Sequence, residues 1–366
     1  MSRDNNNDLK EYISLENFLK KWQDSIVGIT QPPKRRLLDT SSKKHKKRVR
    51  FNFKLAPKIT SLSSLIELAE TKIYYSNINV EKLWNILPEL LELQNMIGMR
   101  KLKESIFFQV IYYLQDLNTR GDDYLHTVIL GPPGSGKTTV AQIIGNIYAK
   151  LGILSNKNIF KIAKREDFIG EYLGHTATKT KKLLNSCLGG VLFIDEAYAL
   201  GPGQKDKDSF SKEAIDTLNA FLSEHKNDFC CIIAGYEEDI EKCFFRINKG
   251  LERRFQWVHR IDKYSDLELA KIMFKMINEV EWKINVNLDD LSEFIKKNNS
   301  CFKNFGGDIE TFLSKCKMAH AQRVFSLEDR HRFIITQEDL DKAIELSLKN
   351  NMGGTEAVKP PFGMYL

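Results

Sequence analysis

The sequence predicts an α/β fold: a parallel sheet flanked by helices, followed by a C-terminal helical segment and preceded by a helical or disordered extension. Three observations carry this. Short apolar runs at 128–130, 159–163, 191–194, 230–234 and 257–261 alternate with stretches of helical spacing, the signature of repeated strand-helix units. One of these runs, after His126-Thr127, leads straight into Gly131-Pro132-Pro133-Gly134-Ser135-Gly136-Lys137-Thr138, and Thr139 to Ile144 resume helical spacing. Another, Val191-Leu192-Phe193-Ile194, ends in the acid pair Asp195 and Glu196.

The first junction is a complete phosphate-binding loop. Its glycines let the backbone wrap a phosphate chain, so that successive N–H groups and the start of the next helix point at the anion. Gly131 to Thr139 are therefore candidate contacts for ATP. Lys137 would set a point charge on the β- and γ-phosphates, and the Thr138 hydroxyl would hold Mg²⁺. Asp195 is the second candidate metal residue, acting partly through water, and Glu196 would polarise the attacking water. A chain that keeps both acids is expected to hydrolyse the nucleotide.

The remaining elements follow in order. Residues 1–56 hold asparagines, Pro32-Pro33 and one amphipathic stretch, Leu9 to Trp22, and read as a mobile basic tail. Residues 57–118 form a helical lead-in, with Leu62, Leu65, Ile66 and Leu68, then Trp84, Leu87, Leu90, Leu91 and Leu93, at helical intervals. Residues 119–262 are the nucleotide-binding domain. From 263 to 350 the pattern is helical again. Ser265-Asp266-Leu267-Glu268 forms a capping box there, and Thr336-Gln337-Glu338-Asp339 opens a later helix. Residues 351–366, with Pro360-Pro361, read as a loop-like tail.

The formal charge of +7 is unevenly placed. Between Gln31 and Lys54 stand ten basic residues against one acid, Asp39, so the rest of the chain is slightly acidic. Any attraction to nucleic acid must come from the tail. Its clusters at 34–36 and 43–50 fit a nuclear-import signal, a nucleic-acid arm or a solvated linker. No stretch approaches the roughly 18 apolar residues of a membrane span, and Met1 to Asn7 do not open a signal peptide. The expectation is a soluble intracellular protein, cytoplasmic or nuclear, with no membrane partner. Six cysteines (Cys187, Cys230, Cys231, Cys243, Cys301 and Cys316) lack metal-site spacing and read as reduced residues.

Further segments resemble a known family. Gly170-Glu171-Tyr172-Leu173-Gly174-His175-Thr176-Ala177, Gly189 to Leu200 around the acid pair, Ala234-Gly235-Tyr236, and Asn248-Lys249-Gly250-Leu251-Glu252-Arg253-Arg254-Phe255 occur in this order. Together they resemble AAA+ ATPases of the CbbX group: red-type Rubisco activase, stage V sporulation protein K and the EccA ATPases of type VII secretion. The resemblance covers residues 85–262. It implies an AAA+ P-loop core with an α-helical lid, working as a ring of identical copies, six by the group's habit. It implies that Tyr172, Leu173 and Gly174 line the central pore, local packing being the alternative for Tyr172. It implies that Arg254, with Arg253 as a second contact, reaches a neighbour's γ-phosphate; a surface salt bridge is the alternative for each. Ile97 and Gly98 fall where the group rests the adenine, and Tyr236 falls at the usual polar sensor. Gly306-Gly307-Asp308-Ile309-Glu310 departs from the group, which has an arginine where Ile309 stands. Either Gly307 contacts the adenine and that suffices, or Lys315, Lys317 or Arg323 replaces the arginine.

Three functions fit. The first is a ring-forming ATPase that remodels a macromolecular client, a protein by the pore segment. The second is a nucleic-acid-linked ATPase, a helicase loader or replication accessory, that binds through residues 34–54. The third is a nucleotide-dependent scaffold with slow turnover.

Overall fold

The computed structural model describes residues 55–352, apart from Ser76, 119–122, Lys157, Leu173 and 202–207. The basic clusters, the amphipathic stretch, the tail beyond Met352 and the pore candidate Leu173 lie outside the described residues.

Helices α1 (Leu62–Glu70), α2 (Val80–Asn95) and α3 (Arg100–Leu114) precede the sheet. Helix α1 starts at a capping box between Ser61 and Ser64, and α2 at Asn79, whose side chain accepts from the Lys82 amide. Leu62, Leu65, Ile66, Leu68, Leu90 and Leu93 are buried, Trp84 and Leu87 are half-buried, and Leu91 faces outward.

Five strands make one parallel sheet: β1 (Thr127–Leu130), β2 (Phe160–Ala163), β3 (Val191–Ile194), β4 (Cys230–Gly235) and β5 (Trp257–Arg260). The five apolar runs mark them closely. Their spatial order is β2-β3-β4-β1-β5. Alternate residues enter opposite cores. Ile129, Phe193 and Ile232 join α1–α3 and α4 (Lys137–Lys150) on one face, and Val128, Leu192 and Ile233 join α5 (His175–Asn185) and α6 (Ser209–Glu224) on the other. Burial of both faces explains why these strands read as unbroken apolar runs instead of alternating patterns. The edge strands β2 and β5 leave Ile162 and Val258 exposed.

A third core gathers α7 (Asp266–Glu279), α8 (Leu288–Lys297), α9 (Gly306–Val324) and α10 (Gln337–Met352), with a two-residue parallel ladder between β6 (Lys283–Ile284) and β7 (Ile334–Ile335). The expected capping box at the head of α7 forms, with Ser265 and Glu268 bonded reciprocally. Asp339, near the start of α10, accepts from the Thr336 amide at 2.9 Å and from Arg323 Nε of α9 at 2.7 Å, tying the two helices together. Cys230 and Cys231 are buried in β4, and all six cysteines are free. Among the described residues no helix is long and apolar enough to cross a membrane.

Candidate active site

The sheet order decides what meets at the carboxyl ends of the strands. Because β4 lies between β1 and β3, the loop after β1, the acids after β3 and Tyr236 after β4 converge on one crevice. The Gly131 amide donates to the Gly235 carbonyl at 3.1 Å, extending the β1–β4 ladder into the loop. Gly134 and Gly136 take φ of +65° and +84°, conformations that side chains resist, and Gly136 caps α4, whose first residue is Lys137. The first amides of α4 have no partner in the preceding turn and face the crevice with the positive end of the helix.

Lys137 Nζ donates to the Gly131 carbonyl at 3.2 Å and the Pro132 carbonyl at 2.9 Å, and lies 5.8 Å from the centroid of the Tyr236 ring. Burial lowers the Lys137 pKa, and Asp195 and Glu196 oppose that shift. Thr138 Oγ1 sits 3.4 Å from Asp195 Oδ2, a pair of hard oxygens that suits a divalent cation. Among the described residues no cluster of three or more His, Cys, Asp or Glu could hold a metal alone. Mg²⁺ is commonly held by one or two protein oxygens plus phosphates and water, and Thr138 and Asp195 could supply the protein oxygens. Asp195 Oδ1 also accepts from the Glu196 amide at 3.0 Å. Glu196 itself is exposed and takes φ +49°, a left-handed conformation rare for a residue with a side chain. The Tyr198 phenol is raised to about 12 by burial and by the Glu196 carboxylate.

The adenine candidates lie close by. A Cβ built on Gly136 would stand 3.3 Å from Met99 Cε and 3.4 Å from Met96 Cε, which places the 96–99 turn, with Ile97 and Gly98, against the phosphate loop. Across the loop, a Cβ on Gly134 would stand 2.4 Å from the Gly307 amide nitrogen, and one on Gly306 would stand 2.6 Å from the Gly134 carbonyl. The head of α9 therefore meets the phosphate loop backbone to backbone. Ile309 is buried in the third core. Lys315, Lys317 and Arg323 are committed elsewhere: Lys315 to Ser347 Oγ at 3.1 Å, Lys317 over the Trp282 ring at 5.5 Å, Arg323 to Asp339. At 1.5 Å per residue they also start roughly 12, 15 and 24 Å along α9 from Gly307. In this structure all three side chains are engaged within the C-terminal helices.

The other expected residues lie apart from this crevice. Tyr172 is 65% exposed on its glycine-flanked loop, with its ring edge-on to His175 at 5.5 Å. Gly174 turns the loop into α5 at φ +83°. Arg254 donates through Nε to Ser223 Oγ at 2.6 Å and through Nη1 to the Gly250 carbonyl, whereas Arg253 is exposed. Sequence reasoning passed over Tyr264, whose hydroxyl donates to the Ser135 carbonyl of the phosphate loop at 3.1 Å. The available signal was its position, an aromatic residue immediately before the capping box at the end of the sheet.

Comparison with known proteins agrees with this geometry. A family model described as the ATPase family associated with various cellular activities (AAA) matches residues 127–261. The chain is 44% identical over 272 residues to the putative cfxQ-like protein R730 of Acanthamoeba polyphaga mimivirus, covering 72% of this chain and 66% of that protein. It is 34% identical over 278 residues to stage V sporulation protein K of Bacillus subtilis, covering 72% and 83%. A CfxQ homolog of Trieres chinensis is 31% identical over 288 residues, covering 77% and 95%.

Proposed function

This chain belongs to the AAA family of ATPases, in the group of CfxQ-like proteins and stage V sporulation protein K, and from that premise we propose that it is a ring-forming motor acting on a protein client. It binds nucleotide and hydrolyses ATP. Water would take the γ-phosphoryl group of ATP and release ADP and phosphate, and a Mg²⁺ bound with the nucleotide would supply neutralisation of the charge on the phosphate oxygens. Lys137 and the amides of Gly134 to Thr138 bind and orient the phosphates; Thr138 and Asp195 would hold the cation. Glu196 accepts a proton from the attacking water. Arg253 and Arg254 of the next copy in the ring complete the charge set. Arg253 is the exposed member, and Arg254 braces the segment against α6.

The observation that supports a motor is how the exposed Tyr172 loop is held. The one-turn helix before it, Arg165–Phe168, starts with Arg165, which donates to the Ala199 carbonyl at 2.7 Å and the Gly201 carbonyl at 3.2 Å. Those carbonyls lie three and five residues after Glu196. Lys179 Nζ bonds the Glu166 and Ile169 carbonyls at 2.7 and 2.9 Å, and Thr176 Oγ1 accepts from the Gly170 amide at 3.0 Å, so both ends of the loop are fixed. A movement of the segment after Glu196 is thereby passed to the base of the Tyr172 loop.

The test is a mixing series of full-length chains, one carrying Arg253→Ala with Arg254→Ala and the other Glu196→Gln. Each alone is inactive, and mixed rings recover part of the ATPase rate because some seams regain both groups. No recovery at any ratio, in assemblies shown to be mixed, contradicts catalysis shared between copies. DNA- or RNA-stimulated turnover that is lost on deleting residues 1–56 would move the client to nucleic acid.

A further inference from the structure

We propose that Tyr264 is a positioning residue through which the C-terminal helices set the shape of the phosphate loop. The inference rests on the nucleotide site described above and adds the residue that links it to the lid. Tyr264 stands between β5 and α7, and its ring packs against both the first core, under the sheet, and the third, of the C-terminal helices. Its hydroxyl donates to the Ser135 carbonyl at 3.1 Å. Its ring meets that of Phe305 edge to face at 5.8 Å, and Phe305 is the cap of α9, held at φ +51°. A Cβ on Gly98 would come within 3.1 Å of Tyr264 Cε1 and 2.8 Å of Glu268 Oε1, so the base-side turn rests on the same ring. That turn is stapled in place by Lys103 Nζ, which donates to the Gln94 carbonyl at 2.9 Å and the Met96 carbonyl at 2.6 Å.

One side chain thus touches the phosphate loop, the base-side turn and the head of α9. The Ser135 carbonyl needs a donor, and the phenol, raised to about 12 by burial and by Glu268, stays protonated to supply one. A shift of α9 relative to the sheet moves Phe305, tilts the Tyr264 ring and pulls on Ser135. The same path works in reverse when phosphates seat in the loop. Backbone contact between Gly134 and Gly306 gives the two sides a second point of registration.

The experiment compares full-length wild type with Tyr264→Phe, Tyr264→Leu and Lys137→Ala, titrated with N-methylanthraniloyl-ADP and assayed for ATPase. Tyr264→Phe keeps the ring in both cores and removes only the bond to Ser135. It weakens ADP binding by roughly 3- to 10-fold, the worth of one neutral hydrogen bond, and raises KM for ATP in parallel. The kcat at saturating ATP stays at the wild-type value, and the thermal midpoint without nucleotide falls only by the few degrees that one lost hydrogen bond is worth. Tyr264→Leu lowers that midpoint as well, because it also empties ring volume shared by two cores. Unchanged ADP affinity and KM in Tyr264→Phe overturn the proposal. So does a nucleotide-free midpoint in Tyr264→Phe that falls as far as in Tyr264→Leu, which would make the tyrosine merely structural. Lys137→Ala is read separately: wild-type ADP affinity in that variant would refute the nucleotide site itself.

Discussion

The phosphate loop and the surface facing it across the crevice are assembled in opposite ways. Gly131 to Thr138 are contiguous, and much of their shape comes from their own short-range bonds, such as Ser135 Oγ to the Pro132 carbonyl at 2.7 Å. The facing surface takes Gly98, Tyr264, Phe305 and Gly306 from three distant parts of the chain, and packing alone brings them together. The loop carries the chemistry. Its partner carries the position, so damage on the two sides should have different signatures.

The largest effect is expected on the loop side. Lys137→Ala removes the charge from a half-buried site lined by phosphate-directed donors, and ATP turnover should fall by at least about 100-fold with no comparable loss of thermal stability. A variant that still hydrolyses ATP within a few-fold of wild type would place the chemistry elsewhere.

An intermediate effect separates the two glycines at the head of α9. A Cβ at Gly306 would lie 2.6 Å from the Gly134 carbonyl, closer than real contacts allow, whereas one at Gly307 meets only Gly134 Cα at 3.7 Å. Gly306→Ala should therefore cost about 1–3 kcal/mol in urea unfolding and weaken nucleotide binding. Gly307→Ala should be close to neutral, helped by the helix preference of alanine. Equal effects of the two substitutions would mean that close backbone approach does not hold α9 against the loop.

The smallest effect comes from mild acid and should act on the sheet. Burial lowers the pKa of His126 to about 4 and that of His259 to about 3. His126 is held neutral by geometry, with Nε2 donating to the Leu222 carbonyl and Nδ1 accepting from the Cys231 amide. His259 likewise accepts from Ser105 and donates to Gln109. The unfolded chain takes up these protons near 6.5 and the folded chain only well below. The stability they contribute is thus present above about 6.5 and is lost as pH falls toward the folded values. Urea midpoints should drop modestly between about pH 7 and about pH 6, and less so in His259→Gln. A midpoint flat over that interval would contradict the neutral buried pair.

The contrast also explains what could be read from the sequence. The five strands, the phosphate loop and the acid pair were legible because each is local: apolar runs buried on two faces, or a motif whose chemistry needs neighbouring residues. Strand order was not, since placing β4 between β1 and β3 depends on crossovers that leave no local trace. The lid side was only partly legible. Gly307 was singled out and does meet Gly134, whereas the close approach of Gly306 to the Gly134 carbonyl left no local trace, and Lys315, Lys317 and Arg323 stood open as replacements because their bonds inside the C-terminal helices leave none either. Tyr264 resembled an ordinary half-buried aromatic because its partners Ser135, Gly98 and Phe305 are far from it in the chain.

Catalysis shared between copies is the central claim, and the most direct measurement is ATPase rate per chain against protein concentration, with assembly state followed by light scattering on the same samples. The account predicts a rate per chain that climbs with concentration and levels off as rings fill, with isolated chains close to inactive. A rate per chain that is constant down to fully monomeric protein would contradict it.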